Sequence, residues 1–151
     1  ASAMSDHNTL FGGQESGGFG ITDHLRNKDG VLMALIAAKA HTQRPIQRRL
    51  AGIRAEHGDV VQDRLSVNCP DNRKAAVLSA LAGELPDEVA GVAVSAMNET
   101  DGFKILLTDG SWLLMRPSGT EPKLRVYAEA ATQPRVNELL TAGQELVEPL
   151  V

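Results

Sequence analysis

The sequence is poor in cysteine and in aromatic residues. It has one cysteine, Cys69, and aromatic side chains make up 3% of its 151 residues. A single thiol cannot form a disulfide framework within the chain and supplies no cysteine cluster for zinc, which fits a reducing cytoplasm. Because Cys69 follows a strand-like run, we expect it to be a core residue and not a nucleophile. The few aromatic rings also leave little surface on which nucleic acid bases could stack.

Long apolar runs and an excess of positive charge are also missing. The longest apolar runs, such as residues 31–38, are too short to span a bilayer, and the amino end lacks the pattern of a signal peptide. Fifteen basic and nineteen acidic side chains leave a net charge of −4, so the general field of the protein repels nucleic acid. We therefore expect neither a nucleic acid nor a membrane partner, and any bound anion must be held by a local site.

The apolar residues, 42% of the chain, are enough for one compact domain and part of a second. From residue 58 onward, alternating apolar residues and turn signals predict strand, helix, four strands and helix. The predicted elements cover residues 60–67, 71–81, 92–96, 103–107, 112–115, 124–130 and 132–146. The first helix is expected to turn Ala75, Leu78 and Leu81 inward, and the strand after it alternates at Val92, Val94 and Ala96. Thr132 is the expected cap of the last helix, whose buried side carries Val136, Leu139, Leu140 and Leu146. This order predicts an α+β domain in which a mainly antiparallel sheet of four to five strands packs on two helices.

Residues 1–57 have a different pattern. Asp29 is a candidate N-cap for a helix with one apolar face that ends before Pro45, and Pro45 begins a second helix that ends near Gly58. No strand pattern accompanies the two helices. We therefore interpret residues 1–57 as the tail of a preceding α/β domain, covered either by upstream domains of the same chain or by self-association with a second copy.

Residues 116–125 combine two hydroxyls, a glycine and three cations between two predicted strands. Arginine can grip a phosphate through two parallel hydrogen bonds, and a glycine lets the main chain approach it closely. The segment is thus a candidate phosphate cradle. It is equally consistent with a strand connection in which proline, serine and glycine only make the turn.

The second glycine-rich stretch, residues 12–20, does not match two common catalytic loops. It lacks the lysine and hydroxyl pair of a nucleotide-binding P-loop, and Gln14 stands where a nucleophile elbow needs glycine. The four histidines are scattered without metal-ligand spacing, so solvated or capping roles are expected for them. His24 is the exception worth following, because it lies near this stretch. Trp112 and Tyr127 are expected to be packing residues.

Two motifs resemble one family of enzymes. The run RPSGTEPKLRVYAEA at residues 116–130, preceded by DGFKILLTDGSWLLM, is similar to the phosphate-binding loop and flanking strands in the last domain of the α-D-phosphohexomutase family. The stretch GGQESGGFG at residues 12–20 resembles the sugar-binding loop of the third domain, usually written G-E-x-S-G. The resemblance implies a C-terminal portion of such an enzyme, with residues 1–57 from the third domain and residues 58–151 as a TATA-box-binding-protein-like, phosphate-binding domain.

The resemblance also implies roles for particular residues. Those expected to hold the non-reacting phosphate are Arg116, Ser118, Gly119, Thr120, Lys123 and Arg125. Those expected to face the sugar are Gln14, Glu15 and Ser16, where Gln14 replaces the glutamate of the family pattern. In the family, a phosphoserine and a magnesium-binding aspartate loop in earlier domains interconvert hexose 1-phosphate and hexose 6-phosphate through a bisphosphate. Neither element has a counterpart in this sequence, so we expect the chain alone to bind no Mg²⁺ and to be inactive.

Two questions remain open in the sequence. Glucose, mannose and glucosamine mutases share both loops, so the sequence leaves the preferred hexose undecided. One alternative is therefore that the chain is a portion of a phosphoglucosamine mutase. An independent anion-binding or interaction module is the other alternative, because an α+β domain with one phosphate loop could serve that purpose. The paired motifs favour the mutase interpretation, since an independent phosphate module has no need of a sugar loop.

Overall fold

The protein was studied as a computed structural model, which describes residues 9–13, 18–24, 28–83 and 86–151. The chain divides into two compact units, residues 1–57 and residues 58–151. The first unit contains a short antiparallel hairpin and two helices. Its elements are β1 (Phe11–Gly13), β2 (Phe19–Ile21), α1 (Gly30–Gln43) and α2 (Ile46–His57). The hairpin is a correction to the sequence analysis, which predicted no strand in this region.

The helix ends of the first unit follow the predicted signals. The carboxylate of Asp29 accepts hydrogen bonds from the backbone N–H groups of Val31 and Leu32 and so caps α1. Such a cap satisfies donors that have no partner inside the helix. Gly58 follows α2 with a φ of +85°, a left-handed conformation that glycine adopts without strain.

The second unit is an antiparallel sheet with two helices. Its elements are β3 (Val61–Asn68), α3 (Lys74–Gly83), β4 (Glu88–Val89), β5 (Val92–Asn98), β6 (Phe103–Leu107), β7 (Trp112–Pro117), β8 (Lys123–Ala130), α4 (Gln133–Val147) and a short 3₁₀ helix (Glu148–Leu150). The strand order across the sheet is β3-β8-β7-β6-β5-β4, and every pair is antiparallel. The predicted α+β class is confirmed, with a sixth strand of two residues at one edge.

One face of this sheet and the two helices form the core. The strands alternate strictly between buried and partly exposed residues in β6 and β8. Thr132 caps α4, which buries Val136, Leu139 and Leu140 as predicted. Cys69 is fully buried, which supports its assignment as a core residue. The other face of the sheet carries the polar residues of the same strands, and the candidate site lies on that side.

Two predicted faces differ from the structure. In α3 the buried residues are Val77 and Leu81, whereas Ala75, predicted to face inward, is exposed. In β5 the register shifts between Val94 and Ala96, which places the exposed Ala96 opposite Leu106. A β-bulge of this kind inserts one residue and reverses the alternation that follows it. A prediction based on strict alternation of side chains along the strand therefore fails at Ala96.

Candidate phosphate site

The loop that contains Ser118 to Pro122 connects β7 and β8 in a tight hairpin. Arg116 lies directly opposite Arg125 in the register of these strands, and Pro117 lies opposite Leu124. The ladder continues beyond the strands, because the N–H of Ser118 donates to the carbonyl of Lys123 at 2.9 Å. The loop therefore projects from the end of two paired strands that are anchored in the core.

The three cations of the motif share one side of the sheet. Leu124 and Val126 are fully buried, and residues between buried positions of a strand point to the opposite face. Lys123 and Arg125 consequently lie on the outer face, and Arg116 lies there with them. Like charges directly opposite each other across a strand pair repel. The pair Arg116 and Arg125 therefore needs negative charge beside it.

Carboxylates of the chain balance these cations. Arg116 pairs with Asp101 at 3.1 Å, while Glu121 accepts from Arg125 at 2.8 Å and from Lys123 at 3.3 Å. Hydrogen bonds from Arg125 and then from Lys123 lower the pKa of Glu121. The hydrogen bond to Glu121 raises the pKa of Arg125. Each pair is at least partly exposed, so these bonds can exchange with solvent or ligand.

The hydroxyl and glycine positions of the loop have different environments. Ser118 is buried, with 7% of its surface exposed, and the backbone N–H of Thr120 is 3.5 Å from its hydroxyl oxygen. Gly119 and Thr120 are exposed at the tip. A side chain at Gly119 would meet no neighbouring atom within 4 Å. Glycine is therefore not required there by packing within the described chain.

Sequence analysis missed a cation that contacts this loop from the rear. Lys74, in the first turn of α3, donates to the carbonyl oxygens of Ser118 and Glu121 at 2.5 Å and 2.7 Å. Its ammonium group also pairs with Asp71. Because 44 residues separate Lys74 from Ser118, no local pattern could have indicated the contact. The carboxylate of Asp101, which pairs with Arg116, was missed as well. Glu121 was also missed, although it lies within the motif and only four residues from Arg125.

The predicted sugar-facing residues Gln14, Glu15 and Ser16 lie outside the described residues. The strands on either side of them are described, and Phe11 stacks on Phe19 with ring centroids 5.5 Å apart. His24 follows β2, and its Nε2 atom lies 2.9 Å from a carboxylate oxygen of Asp29. The carboxylate that caps α1 thus also holds His24.

The described residues contain neither a cluster of metal ligands nor a membrane-spanning helix. Within residues 9–13, 18–24, 28–83 and 86–151, no group of three or more histidine, cysteine or acidic side chains could hold a metal ion. None of the helices in these ranges has the length and apolar content needed to span a bilayer.

Known proteins match both units. Residues 65–142 match the family described as Phosphoglucomutase/phosphomannomutase, C-terminal domain, and residues 1–57 match Phosphoglucomutase/phosphomannomutase, alpha/beta/alpha domain III. The fold resembles that of a Phosphoglucomutase/phosphomannomutase family protein from Burkholderia thailandensis, with a TM-score of 0.67. That likeness, at 15% identity, covers 99% of this chain and 30% of the other.

Three relatives illustrate the range of similar sequences. A probable phosphoglucosamine mutase from Methanothermobacter thermautotrophicus is 35% identical over 88% of this chain and 28% of its own length. A phosphopentomutase from Thermococcus kodakarensis is 42% identical over 58% of this chain and 19% of its own. A phosphoglucomutase/phosphomannomutase from the same organism is 29% identical over 98% and 30%. The chain spans less than a third of the length of these relatives. With matches to two successive domains, it belongs to the phosphoglucomutase/phosphomannomutase family.

Proposed function

We propose that this chain is the C-terminal portion of a phosphohexomutase and that its β7–β8 loop binds the non-reacting phosphate of a hexose phosphate. The observation that carries the proposal is the direct pairing of Arg116 with Arg125 at the base of the loop. Two guanidinium groups on neighbouring strands can present several N–H donors to one phosphate. Ser118, Gly119 and Thr120 add hydroxyl and backbone donors beside them, and Lys123 adds a third positive charge.

Ligand binding would exchange partners within a site that is already ordered. Glu121 holds Arg125 and Lys123, and Asp101 holds Arg116. A phosphate dianion offers more acceptor oxygens and more charge than either carboxylate, and exposed ion pairs contribute little to stability. Displacement of the two carboxylates therefore costs little, while their presence keeps the cations from repelling one another before the substrate arrives.

For the parent protein we propose interconversion of hexose 1-phosphate and hexose 6-phosphate through a phosphoserine and a bisphosphate intermediate, in the cytoplasm. The phosphoserine and the Mg²⁺ ligands belong to domains outside these 151 residues. Gln14, Glu15 and Ser16 would contact the sugar hydroxyls. A coupled assay with glucose 1-phosphate, free of host mutase, should detect no turnover by this chain alone, because transition-state stabilisation needs the positioned nucleophile. Measurable turnover would contradict the assignment to a C-terminal portion.

The substrate sugar is tested in the full-length parent. Glucose and mannose phosphates are the first candidates, and glucosamine phosphate is the second, because several similar sequences are named probable phosphoglucosamine mutases. A neutral amide at Gln14 replaces the family carboxylate and weakens acceptance of sugar hydroxyls. Gln14→Glu should raise kcat/KM for the true sugar by roughly fivefold. No change with any of the three sugars would remove Gln14 from the site.

The phosphate cradle is tested directly by titrating the ¹⁵N-labelled chain with inorganic phosphate. Amide signals of Ser118, Gly119 and Thr120 should shift with a dissociation constant of about millimolar order, since the remaining contacts of a complete active site are absent. Arg116→Ala should abolish the shifts. Arg48→Ala, which removes the same charge from the exposed surface of α2, is the matched control. Shifts that cluster elsewhere, or equal losses in both variants, would contradict the assignment.

The independent anion-binding module is separated from the mutase by one further measurement. In the full-length parent, Arg116→Ala should lower kcat/KM by about 30-fold or more, because a charged hydrogen-bonding partner of the substrate is lost. A parent that retains full mutase activity with this substitution would show that the loop serves a separate binding function.

A further inference from the structure

Lys74, at the start of α3, has its ammonium group close to three acceptors. Its side chain is 15% exposed, and its ammonium group lies 2.5 Å from Asp71, 2.5 Å from the Ser118 carbonyl oxygen and 2.7 Å from the Glu121 carbonyl oxygen. A lysine ammonium has three N–H donors. Three acceptors surround the Lys74 ammonium group, one for each N–H donor. Two of the three are main-chain carbonyls of the candidate phosphate loop.

The contact with Ser118 has a direct geometric consequence for Gly119. The Ser118 carbonyl and the Gly119 N–H belong to one peptide group, and the described chain contains no cis peptide bond. In a trans peptide the C=O and the N–H point in opposite directions. A carbonyl directed at Lys74 therefore directs the Gly119 N–H away from Lys74. A cation on the carbonyl oxygen also polarises the peptide and strengthens its N–H as a donor.

The contact with Glu121 acts in another way. Its carbonyl belongs to the peptide bond that precedes Pro122, and proline has no N–H. The hydrogen bond from Lys74 to the Glu121 carbonyl therefore orients no N–H group and only holds the loop in place. Three backbone hydrogen bonds hold the loop: Cys69 N–H donates to the Pro122 carbonyl at 3.0 Å, Ser118 N–H to the Lys123 carbonyl at 2.9 Å, and Lys123 N–H to the Glu121 carbonyl at 2.7 Å. Lys74 adds two bonds to these.

We infer that Lys74 is a positioning residue of the phosphate loop, which acts through the main chain and does not touch the substrate. By holding the Ser118 and Glu121 carbonyls, it fixes the Gly119 amide in the direction from which a phosphate is bound. The inference rests on the proposed function, since it assumes that this loop is the phosphate cradle. Preorganised donors bind an anion better than donors that must first be oriented.

The test compares Lys74→Met with the unchanged 151-residue chain in titrations with inorganic phosphate, followed by the amide shifts of Ser118, Gly119 and Thr120. The substitution keeps the length of the side chain but removes its charge and donors. We expect about fivefold weaker binding, the effect of one lost orienting hydrogen bond. Lys39→Met, on the exposed surface of α1, removes the same charge from the other unit and should leave binding within twofold.

Salt separates positioning from simple attraction of the anion. The titrations are repeated in about 0.5 M sodium chloride, where the Debye length is only a few ångströms. If Lys74 orients the loop, the fivefold difference from the unchanged chain persists in high salt. If the difference disappears in high salt, Lys74 acts through its charge and the inference is wrong. Equal binding by Lys74→Met and the unchanged chain at both salt concentrations also overturns it.

A second variant covers the case in which Lys74→Met fails to fold. Asp71→Ala changes a side chain that is 78% exposed and removes one acceptor that anchors the ammonium group. A positioning role predicts weaker phosphate binding, whereas a purely electrostatic role predicts tighter binding because a negative charge is removed. Tighter or unchanged binding overturns the inference. If the unchanged chain shows no shifts at these three amides, the proposed cradle itself is wrong, and this outcome is distinct from a failure of Lys74.

Discussion

The two units of this chain differ in how they use apolar residues. Every buried hydrophobic residue identified in the described chain lies in the second unit, from Cys69 to Val147. In the first unit, α1 and α2 bury no residue, and Val31 and Leu35 are 75% and 65% exposed. Apolar content alone therefore does not form a core. The second unit has a sheet face on which its helices can pack, whereas the described part of the first has a hairpin of two three-residue strands.

The comparison is especially informative for α1. Apolar side chains occupy every position from 31 to 38, so the helix is apolar around much of its circumference. Helices of this kind are typically buried from several sides. We propose that the upstream domains of the parent chain cover α1. The alternative is self-association through residues 1–57, which sedimentation of this chain would reveal as a dimer.

The difference in burial between the two units is tested most strongly by removing one large apolar side chain from each unit. Leu139→Ala empties a fully buried site on α4 and should lower the free energy of unfolding by about 3 kcal/mol. Leu35→Ala should change stability by less than about 0.5 kcal/mol, because its site is already exposed. The single tryptophan, Trp112, reports the unfolding of the second unit in urea, and circular dichroism reports the helices. Comparable losses for both variants would show that α1 is buried in solution.

Replacing a glycine by alanine should change stability in opposite directions in the two units. At Gly143, a new Cβ would lie 2.6 Å from Val126 and 2.9 Å from Leu113, where α4 packs on the sheet. Gly143→Ala should therefore destabilise the second unit by about 1–3 kcal/mol. At Gly52, inside α2, a Cβ would meet nothing within 4 Å. Gly52→Ala should stabilise its helix by about 0.5–1 kcal/mol.

Thermal melts followed at 222 nm and by Trp112 emission measure both glycine variants. Gly52→Ala should raise the helical signal without moving the Trp112 transition. The comparison would be wrong if Gly143→Ala were neutral, or if Gly52→Ala destabilised the protein, since the second result would reveal a neighbour packed against α2.

Removal of a helix cap should also affect the two units differently, with a smaller change in stability. Thr132 accepts a hydrogen bond from the N–H of Arg135 at the start of α4. Thr132→Ala should lower the stability of the second unit by about 1 kcal/mol, the usual contribution of an N-cap. Asp29→Ala removes the cap of α1 and should reduce the helical signal while leaving the Trp112 transition in place. A shift of that transition in Asp29→Ala would indicate that the two units unfold together.

The smallest expected effect is a dependence on pH. Partial burial raises the pKa of Asp109, but hydrogen bonds from Ser111 and the charge of Arg135 lower it by more than burial raises it. The pKa of Asp109 is therefore below its ordinary value. The backbone N–H of Leu32 and the side chain of His24 lower the pKa of Asp29. A carboxyl whose pKa is lower in the folded state stabilises it above the unfolded pKa, and this contribution is lost as pH falls through the folded pKa, below about 4.

Asparagine variants assign this loss to a unit. Asp109→Asn should flatten the dependence of the Trp112 transition on pH below about 4. Asp29→Asn should flatten only the dependence of the helical signal from α1. Urea titrations at a series of pH values provide the measurement. An unchanged pH dependence in Asp109→Asn would show that other carboxyls cause the acid sensitivity of the second unit.

Much of the fold was predictable because its signals are local. The caps at Asp29 and Thr132, the end of α2 at Gly58 and the alternation of β6 and β8 are set by residues a few positions apart. Such signals depend on backbone geometry and on nearest neighbours, so they are readable without knowing the rest of the chain. The motif of residues 116–125 was found in the same way, and the assignment of its residues to phosphate binding stays a prediction.

Other features depended on contacts between distant segments. The burial of Val77 in place of Ala75 reflects how α3 is seated on the sheet, and the bulge before Ala96 reflects its pairing with β6. The sequence alone determined which residues could form a cradle, because residue type and short spacing carry that information. Only the tertiary structure decided that Arg116 faces Arg125 and that Lys74 holds the loop from the rear. Those contacts require the packing of the whole unit, which no short segment encodes.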